Sequence, residues 1–202
     1  MGNRILTTTT HYKPADNLHP IHDLIRHRWS PRAFSSRPVE QEKLDSLFEA
    51  ARWAASANNM QPWHFIYATN EQPEEHARLT SILFERNAMW AQKAPVLVLV
   101  VAKLYEAPGR EMVSFYDVGM AAGALVTQAV DLGLATHQMG GFDASKAREE
   151  LNIPEGYVPL TMITIGYPGH ADDLSDDFRE RELAPRVRKE QKDFVFQGRW
   201  NG

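Results

Sequence analysis

The sequence predicts one domain built from both helices and strands, on three observations. The chain has 202 residues, 43% of them apolar and 24% charged, which suits a single well-buried soluble domain. Short apolar runs predict strands over residues 63–69, 95–102 and 158–165, the last two as buried strands. Between them, apolar residues recur at the 3.6-residue period of helices that pack on a core.

Composition and charge exclude several classes of protein. A net charge of −4 gives no electrostatic reason to expect nucleic acid as a partner. The chain has no cysteine, which removes disulfides, thiolate nucleophiles and Cys-based zinc sites, so any redox chemistry must come from a bound cofactor. The eight histidines are scattered, without a carboxylate partner at a suitable spacing, and no metal site is predicted.

The two ends of the chain differ from its middle. Residues 1–17 are polar and without periodicity, so we expect a flexible leader, followed by one domain over 18–202 that includes a C-terminal arm from about residue 170. The leader lacks the apolar core of a secretory signal. The longest apolar run, 95–102, is far shorter than the ~20 residues that span a bilayer. The sequence therefore predicts a cytoplasmic protein without a membrane partner.

Helical spacing predicts three helices in the first half of the chain, over 20–28, 38–54 and 71–93. The second has apolar residues in the i, i+3, i+4, i+7 pattern, namely Leu44, Leu47, Phe48 and Ala51. Pro31 disfavours continuation of the first helix. Pro62 likewise favours an extended entry into the strand that follows.

The most apolar helix is predicted over 113–132, where apolar residues surround the whole cylinder and imply packing on every side. Gly119 and Gly123 lie four residues apart, so another backbone could approach closely there. In a domain of this size such a helix often lies at a subunit interface. We therefore expect a homodimer.

A loop of small polar residues, Ser56 to Gln61, separates the second helix from the first strand. Its hydroxyl and amide groups supply several donors and acceptors in little space, which suits the edge of a heteroaromatic ring. The alternative is a loop whose side chains satisfy only their own backbone. Farther along, Gly140 and Gly141 end a short strand from residue 135 and let a backbone approach a planar ligand, although a plain turn is the commoner use of such a pair.

Two stretches carry arginines suited to a phosphate, because a guanidinium matches phosphate geometry with paired hydrogen bonds. Arg28 and Arg32 flank Ser30 at the break after the first helix. Arg179 and Arg181 stand two apart in the charged arm and would face the same side of an extended segment. For both stretches the alternative is a solvated run of charges.

Four segments, in this order along the chain, resemble the FMN-dependent nitroreductase family: Arg28–Phe34, Ser56–Phe65, Gly140–Asp143 and Ile165–Pro168. The resemblance extends over about residues 20 to 200. It implies an α+β fold in which a mixed, largely antiparallel central sheet is flanked by helices. It also implies an intertwined homodimer with a C-terminal extension and FMN in two equivalent sites at the interface.

The same resemblance implies which residues contact FMN. They are Arg28, Trp29, Ser30, Arg32, Ser56, Ala57, Asn59, Gln61, Asn87, Met139, Gly140, Gly141, Arg179 and Arg181. The phosphate would be held by Arg28 together with Arg179 and Arg181, and Arg186 or Arg188 are alternative equivalents of that pair.

Other implied roles concern the flavin ring. Arg32 would lie near N1 and the C2 carbonyl, where its charge favours the reduced cofactor. Backbone N–H groups of Gly140 and Gly141 would point toward N5 and O4, and Asn87 is placed near the ring by an alignment that is loose by a residue or two. Three residues would come from the partner subunit, namely Ser56, Ala57 and Asn59.

The resemblance implies an enzyme, an NAD(P)H oxidoreductase that reduces nitroaromatics, quinones or related small-molecule acceptors by ping-pong two-electron transfer. No side chain need act as a nucleophile. The alternatives are another flavin chemistry on the same fold, such as dehalogenation or flavin cleavage, and a non-catalytic FMN-binding protein. Ala55, Ala57 and Arg32 replace residues common in the family and could retune the pocket.

Overall fold

A computed structural model describes residues 13–106 and 109–202. The helices in these residues are α1 (Asp23–His27), α2 (Gln41–Arg52), α3 (Pro73–Ile82), α4 (Glu85–Ala91), α5 (Glu111–Asp131), α6 (Ala144–Glu150) and α7 (Asp176–Leu183). The strands are β1 (Trp63–Thr69), β2 (Val96–Lys103), β3 (Ala135–Met139) and β4 (Tyr157–Gly166). Single turns of 3-10 helix lie at Ala57–Asn59, Ala171–Asp173 and Gln191–Asp193.

The four strands form one sheet in the order β1, β2, β4, β3, and each described pairing is antiparallel. The register between β2 and β4 shifts between Val100 and Val101, where Pro159 lies opposite. Proline has no N–H to donate to the ladder, which makes this a natural place for a bulge. The α+β class is confirmed, with an antiparallel sheet and helices on both faces.

Both faces of the central strand β2 are buried, as its continuous apolar pattern predicts. Alternate residues of β2 belong to two separate hydrophobic clusters, because side chains alternate across a strand. Leu97 and Leu99 join the cluster that contains Trp90 of α4. Val98 joins the cluster that contains Leu125 of α5. A shift of one residue in β2 would move each side chain to the opposite cluster, so the two clusters fix the register of the sheet. The fixed register in turn positions the loops at the ends of the strands.

The single helix predicted over 71–93 is wrong, because the structure has two helices, α3 and α4, with a break between them. Leu83 and Phe84 have extended backbone angles there. Leu83 forms an isolated bridge with Phe142, and the N–H of Phe84 donates to Gly141 O at 3.2 Å. These long-range hydrogen bonds replace the helical ones. The helical spacing of apolar residues therefore continues from α3 into α4, although the helix itself is interrupted between them.

Helix α5 packs against α2 and β2, yet it is not covered on every side. Met112, Tyr116 and Met120 are 72%, 70% and 45% exposed. A Cβ added at Gly119 or Gly123 would meet no atom within 4 Å. The prediction of burial all round is therefore wrong for a single protomer, in which one apolar face of α5 is open.

By length and hydropathy alone, α5 is the one helix of the described residues that could cross a membrane. Core helices of soluble proteins pass the same test, and 44% of the apolar window is buried inside the domain. The helix is therefore only weak evidence for a membrane location.

The C-terminal arm begins with structure rather than with an extended run of charges. Asp176 and Asp177 start α7, where acidic side chains favour the positive end of a helix dipole. Phe178 and Glu182, one turn apart, are the buried residues of this helix. The expectation of an extended segment is wrong, because these residues form a helix. A helix that buries one apolar side chain leaves almost no apolar pattern in the sequence, so its presence was not predicted.

The described part of the predicted leader, residues 13–17, contacts this arm. Lys13 Nζ donates to Glu182 O at 2.6 Å, in the last turn of α7. Arg186 Nη1 donates to Lys13 O at 2.7 Å, and Ala15 N–H donates to Arg26 O at 2.8 Å. The start of the described chain is therefore joined both to α1 and to the residues around the end of α7. Residues 1–12 lie outside the described part of the chain.

Candidate functional site

The arginine loop, residues 28–34, leaves the end of α1 and reaches the sheet. The N–H of Arg28 donates to Leu24 O at 3.1 Å and closes the helix, while its Nη1 donates to Ser30 Oγ at 3.0 Å. At the other end of the loop, Phe34 forms an isolated bridge with Pro168, just after β4. The predicted break after the first helix is confirmed, and the loop is tied to the body at both ends.

Trp29 and Arg32 take part in two separate cation–ring contacts. Trp29 supplies the ring of one contact, and Arg32 supplies the cation of the other. Lys13 Nζ lies 5.0 Å from the centroid of the Trp29 ring. The guanidinium of Arg32 lies 5.9 Å from the Trp90 centroid. Burial lowers the pKa of Arg32, and the charge of Glu182 acts in the opposite direction. Arg32 is thus a partly desolvated cation whose nearest charge of opposite sign comes from α7.

Three arginines converge beside this loop. Arg28, Arg186 and Arg188 line one cavity of about 420 Å³, together with the acidic residues Asp16 and Glu190. Burial lowers the pKa of Arg28, and the charges of Arg186 and Arg188 lower it further. None of the three forms an ion pair with a carboxylate of the described residues. Mutually repelling, unpaired guanidinium groups are suited to a polyvalent anion.

Arg179 and Arg181 do not form a pair on one side of an extended strand. Both belong to α7, where residues two apart point in widely different directions. Arg179 Nη2 lies 3.0 Å from Asp172 Oδ1, and Arg181 Nε lies 3.4 Å from Asp177 Oδ1. The arginines that the structure brings to Arg28 are Arg186 and Arg188, the alternatives that the sequence left open.

Asn87 and the glycine pair lie together in the structure, at the break between α3 and α4. Asn87 Nδ2 donates to Gly141 O at 3.0 Å. A Cβ on Gly141 would lie 2.5 Å from the same nitrogen, so glycine is required for this contact, whereas a Cβ on Gly140 would meet nothing within 4 Å. Met139, just before the pair, is 3% exposed and belongs to a hydrophobic cluster.

The polar loop, residues 56–61, has an unusual backbone. Asn58, Asn59 and Gln61 have φ values of 51°, 57° and 49°, in the left-handed region. The N–H of Gln61 donates to Ser56 Oγ at 3.0 Å, and Gln61 Nε2 donates to Asn59 O at 3.0 Å. Three such residues in one short loop are a local strain that surrounding contacts must maintain, and strain of this kind concentrates at functional sites.

Asp117 of α5 anchors this loop. Its Oδ2 accepts hydrogen bonds from the Ala57 N–H at 2.9 Å and from the Tyr105 hydroxyl at 2.6 Å. Burial, together with this contact, raises the pKa of Tyr105 to about 12, so the phenol stays protonated and remains a donor. Asp117 is only 3% exposed, and it fixes the start of the polar loop from inside the domain.

A family model described as the nitroreductase family matches residues 25–167, more than half of the chain. The chain belongs to the nitroreductase family. The resemblance seen in the four sequence segments is thereby confirmed. The assignment to a family of oxidoreductases rests on this match over residues 25–167, rather than on any one of the four segments.

Individual nitroreductase relatives extend the match beyond the family model. A solved structure described as an oxidoreductase containing FMN has a TM-score of 0.85 and 34% identity, over 92% of this chain and 96% of that one. An Archaeoglobus fulgidus protein provisionally named an NADH dehydrogenase/NAD(P)H nitroreductase is 31% identical over 75% of this chain and 87% of its own. An FMN reductase [NAD(P)H] of Bacillus subtilis is 29% identical over 73% of this chain and 65% of its own.

Glu182, Trp90 and His137 contact the arginine loop and were not among the predicted site residues. Glu182 accepts hydrogen bonds from the loop, and the Trp90 ring lies beneath Arg32. The signal for Glu182 is its position four residues after Phe178, which places it on the only apolar face of α7. No spacing rule marks an isolated tryptophan such as Trp90 for a site.

His137 lies between the arginine loop and the core of the domain. Its Nδ1 contacts Pro31 O at 2.9 Å, and its ring centroid is 4.6 Å from that of Trp90. Burial lowers the pKa of His137 to about 4, with the charges of Arg32 and Arg28 acting in the same direction. The folded protein therefore holds this imidazole neutral and uses Nδ1–H as a donor.

The depressed pKa of His137 predicts a pH-dependent free energy of unfolding. Protonation favours the unfolded chain once the pH falls below the ordinary histidine value of 6.5, and the loss continues down to about 4. Between pH 7 and pH 5 we expect His137 to account for a decrease of about 2 kcal/mol. Urea unfolding of wild type and His137→Gln at both pH values measures it. Equal pH dependence of the two proteins would contradict the assignment.

Proposed function

We propose that the protein is an FMN-dependent NAD(P)H oxidoreductase that reduces nitroaromatic, quinone or related small-molecule acceptors. The observation that carries the proposal is the convergence of Arg28, Arg186 and Arg188 on one cavity without a carboxylate ion pair among the described residues. The FMN reductase name of one relative and the FMN of one similar structure support the choice of cofactor.

The residues present fit FMN at both ends of the molecule. The phosphate carries two negative charges, which the three arginines can bind with charge-assisted hydrogen bonds, while Ser30 supplies a hydroxyl beside Arg28. At the ring end, Gly140 has open space where a Cβ would stand, so a planar group can approach its backbone. A mixed set of guanidinium, hydroxyl and bare backbone groups is what a flavin phosphate and ring edge require.

In this proposal each residue binds, orients or adjusts charge. FMN, when bound, supplies two-electron transfer between a nicotinamide and a second substrate. Arg28, Arg186 and Arg188 hold the phosphate, and Arg32 places a fixed positive charge near the ring, which favours the form with more electrons. Asn87 holds the Gly141 carbonyl and so orients the glycine pair. The chain has no cysteine, and no side-chain nucleophile is needed for this reaction.

The donor and the acceptor use one site in turn, which gives a ping-pong order. An anaerobic titration of the FMN-loaded protein with NADPH, then NADH, tests the proposal by visible absorption. We expect the flavin band to bleach with at least one donor and to return when a quinone or nitroaromatic is added. A protein that binds FMN but stays coloured with both donors would be a non-catalytic flavin protein. A protein that does not bind added FMN would contradict the proposal altogether.

We further propose a homodimer in the cytoplasm, in which the polar loop reaches the partner's cofactor. The open apolar face of α5 supports the dimer, and so does the tail, where Phe194 and Trp200 are 59% and 78% exposed. Asn58, Asn59 and Gln61 of the polar loop are exposed in the protomer and free to contact another chain.

Charge placed on the open face of α5 should prevent assembly. We expect Tyr116→Glu combined with Met120→Glu to give a monomer, because two carboxylates would be buried without partners in the dimer. The monomeric variant should also bind FMN more weakly, since the polar loop of the partner no longer reaches the cofactor. Sedimentation velocity and FMN titration measure both effects. Ala77→Glu, on the exposed side of α3, is the control and should remain dimeric. A dimeric double variant would refute this interface.

A further inference from the structure

One peptide unit of the arginine loop, between Pro31 and Arg32, is held at both ends. His137 Nδ1 donates to Pro31 O at 2.9 Å. The N–H of Arg32 donates to Glu182 Oε2 at 2.9 Å and to Oε1 at 3.1 Å. The carbonyl and N–H of a trans peptide point in opposite directions, so β3 and α7 grip this peptide from opposite sides. The orientation of Arg32 is thereby fixed before any ligand binds.

A glutamate at position 182 is expected to destabilise the folded protein unless its hydrogen bonds to the arginine loop compensate. Its side chain is 2% exposed, and it lies in the last turn of α7, where the helix dipole disfavours a negative charge. No ion pair of the described residues involves its carboxylate. A buried carboxylate without a paired cation costs stability. Within residues 13–106 and 109–202, all side-chain hydrogen bonds of Glu182 come from the arginine loop, and the third is from the Ala33 N–H to Oε1 at 3.2 Å.

The hydrogen bonds also indicate the charge state of Glu182. Both carboxylate oxygens face backbone N–H donors, and a protonated carboxyl would turn one of them into a donor. Burial raises the pKa of Glu182 above its ordinary value, although these N–H groups and the charges of Arg32 and Lys13 act in the opposite direction. The geometry is that of an ionised carboxylate held by a small backbone nest.

We propose that Glu182 is a positioning residue for the cofactor. Its ionised carboxylate holds the backbone of Arg32 and Ala33, fixes the Arg32 guanidinium beside the flavin ring, and offsets part of the guanidinium charge. This inference rests on the proposed function, which places FMN next to Arg32. The consequence is that the flavin potential is set partly by a residue in the C-terminal arm that does not touch the flavin.

Two substitutions separate the charge of Glu182 from its hydrogen bonds. Glu182→Gln removes the charge but keeps an oxygen that can accept from both N–H groups, as Oε1 does at 3.1 and 3.2 Å. Glu182→Ala removes both. Glu180→Gln removes the same charge from an exposed position on the same helix and serves as the matched control. The midpoint potential of bound FMN and its dissociation constant are measured for all four proteins.

We expect Glu182→Gln to shift the balance between oxidised and reduced bound FMN toward the reduced form about tenfold, which is an increase of about 30 mV in the two-electron potential. Its FMN dissociation constant should stay within about threefold of wild type, since the hydrogen bonds remain. We expect Glu182→Ala to weaken FMN binding about tenfold or more, because Arg32 is no longer fixed. Glu180→Gln should match wild type in both measurements.

An unchanged potential in Glu182→Gln, or an unchanged FMN affinity in Glu182→Ala, would overturn the proposal, even if the melting temperature of either variant falls. Amide hydrogen exchange of the wild-type apoprotein gives a second test that needs no variant and no flavin. The N–H groups of Arg32 and Ala33 should be protected, and free exchange at both would also overturn it. A wild-type protein that binds no FMN but protects these amides would instead locate the failure in the proposed function.

Discussion

Replacing Arg28 by Ala is expected to weaken FMN binding by about 10-fold to 100-fold. A hydrogen bond to a charged group contributes ~1.5–3 kcal/mol, and each ~1.4 kcal/mol is a factor of ten in the dissociation constant. The apoprotein should keep its free energy of unfolding within ~1 kcal/mol, because relief of the repulsion from Arg186 and Arg188 offsets the lost hydrogen bond to Ser30. Fluorescence titration with FMN and urea unfolding measure the two quantities.

Arg179→Ala is the matched control for Arg28→Ala. It removes the same type of side chain from an exposed ion pair with Asp172, a contact of at most ~1 kcal/mol. If the phosphate is bound where we propose, Arg179→Ala leaves FMN affinity unchanged and Arg188→Ala reduces it. The reverse outcome would return the phosphate to the pair in α7, as the resemblance first implied, and would remove the observation that carries the proposed function.

Gly169→Ala is expected to be the most destabilising single-methyl change near the site. The added Cβ would lie 2.7 Å from the carbonyl carbon of Phe34 and 2.9 Å from its nitrogen and oxygen, all of them backbone atoms. The N–H of Gly169 also donates to Ala33 O at 2.9 Å, so the arginine loop must move away as a unit. Overpacking of this kind costs roughly 1–3 kcal/mol, or several degrees in melting temperature for a domain of this size.

The same displacement should weaken FMN binding, since Phe34 adjoins the loop that carries Arg32. Urea unfolding of the apoprotein and FMN titration measure the two effects. Gly140→Ala provides a comparison for the apoprotein, because its methyl would meet no atom within 4 Å and should change the free energy of unfolding by less than ~0.5 kcal/mol. A Gly169→Ala variant as stable as Gly140→Ala would show that the loop is not held as described.

Much of the fold follows from local patterns in the sequence. The continuous apolar run of β2 requires burial on both faces, and the structure has a hydrophobic cluster on each side of it. The first helix ends at His27, before it reaches Ser30, the residue for which Pro31 disfavours a helical conformation. In each case the cause lies within a few residues of its effect.

The parts that sequence patterns did not give depend on distant contacts. The break at Leu83 is stabilised by Phe142, which is 59 positions later in the chain and leaves no mark on local periodicity. Whether Arg179 or Arg188 lies near Arg28 depends on where the short polar helix α7 ends. That helix is hard to predict, because it buries one apolar side chain. The contact of Glu182 with the arginine loop depends on the fold, because its spacing from Phe178 places it on the buried face of α7 but does not indicate which segment it meets.

The link between α7 and the arginine loop joins residues 150 positions apart in the chain. At 5–20 residues per second, the ribosome needs roughly 8–30 s to add them. During that interval the nascent chain already contains Arg28 and Arg32 but neither Glu182 nor the second and third arginines of the proposed phosphate site. Cofactor loading is therefore expected to follow the end of synthesis, and a ribosome-bound chain stopped before residue 176 should not retain flavin.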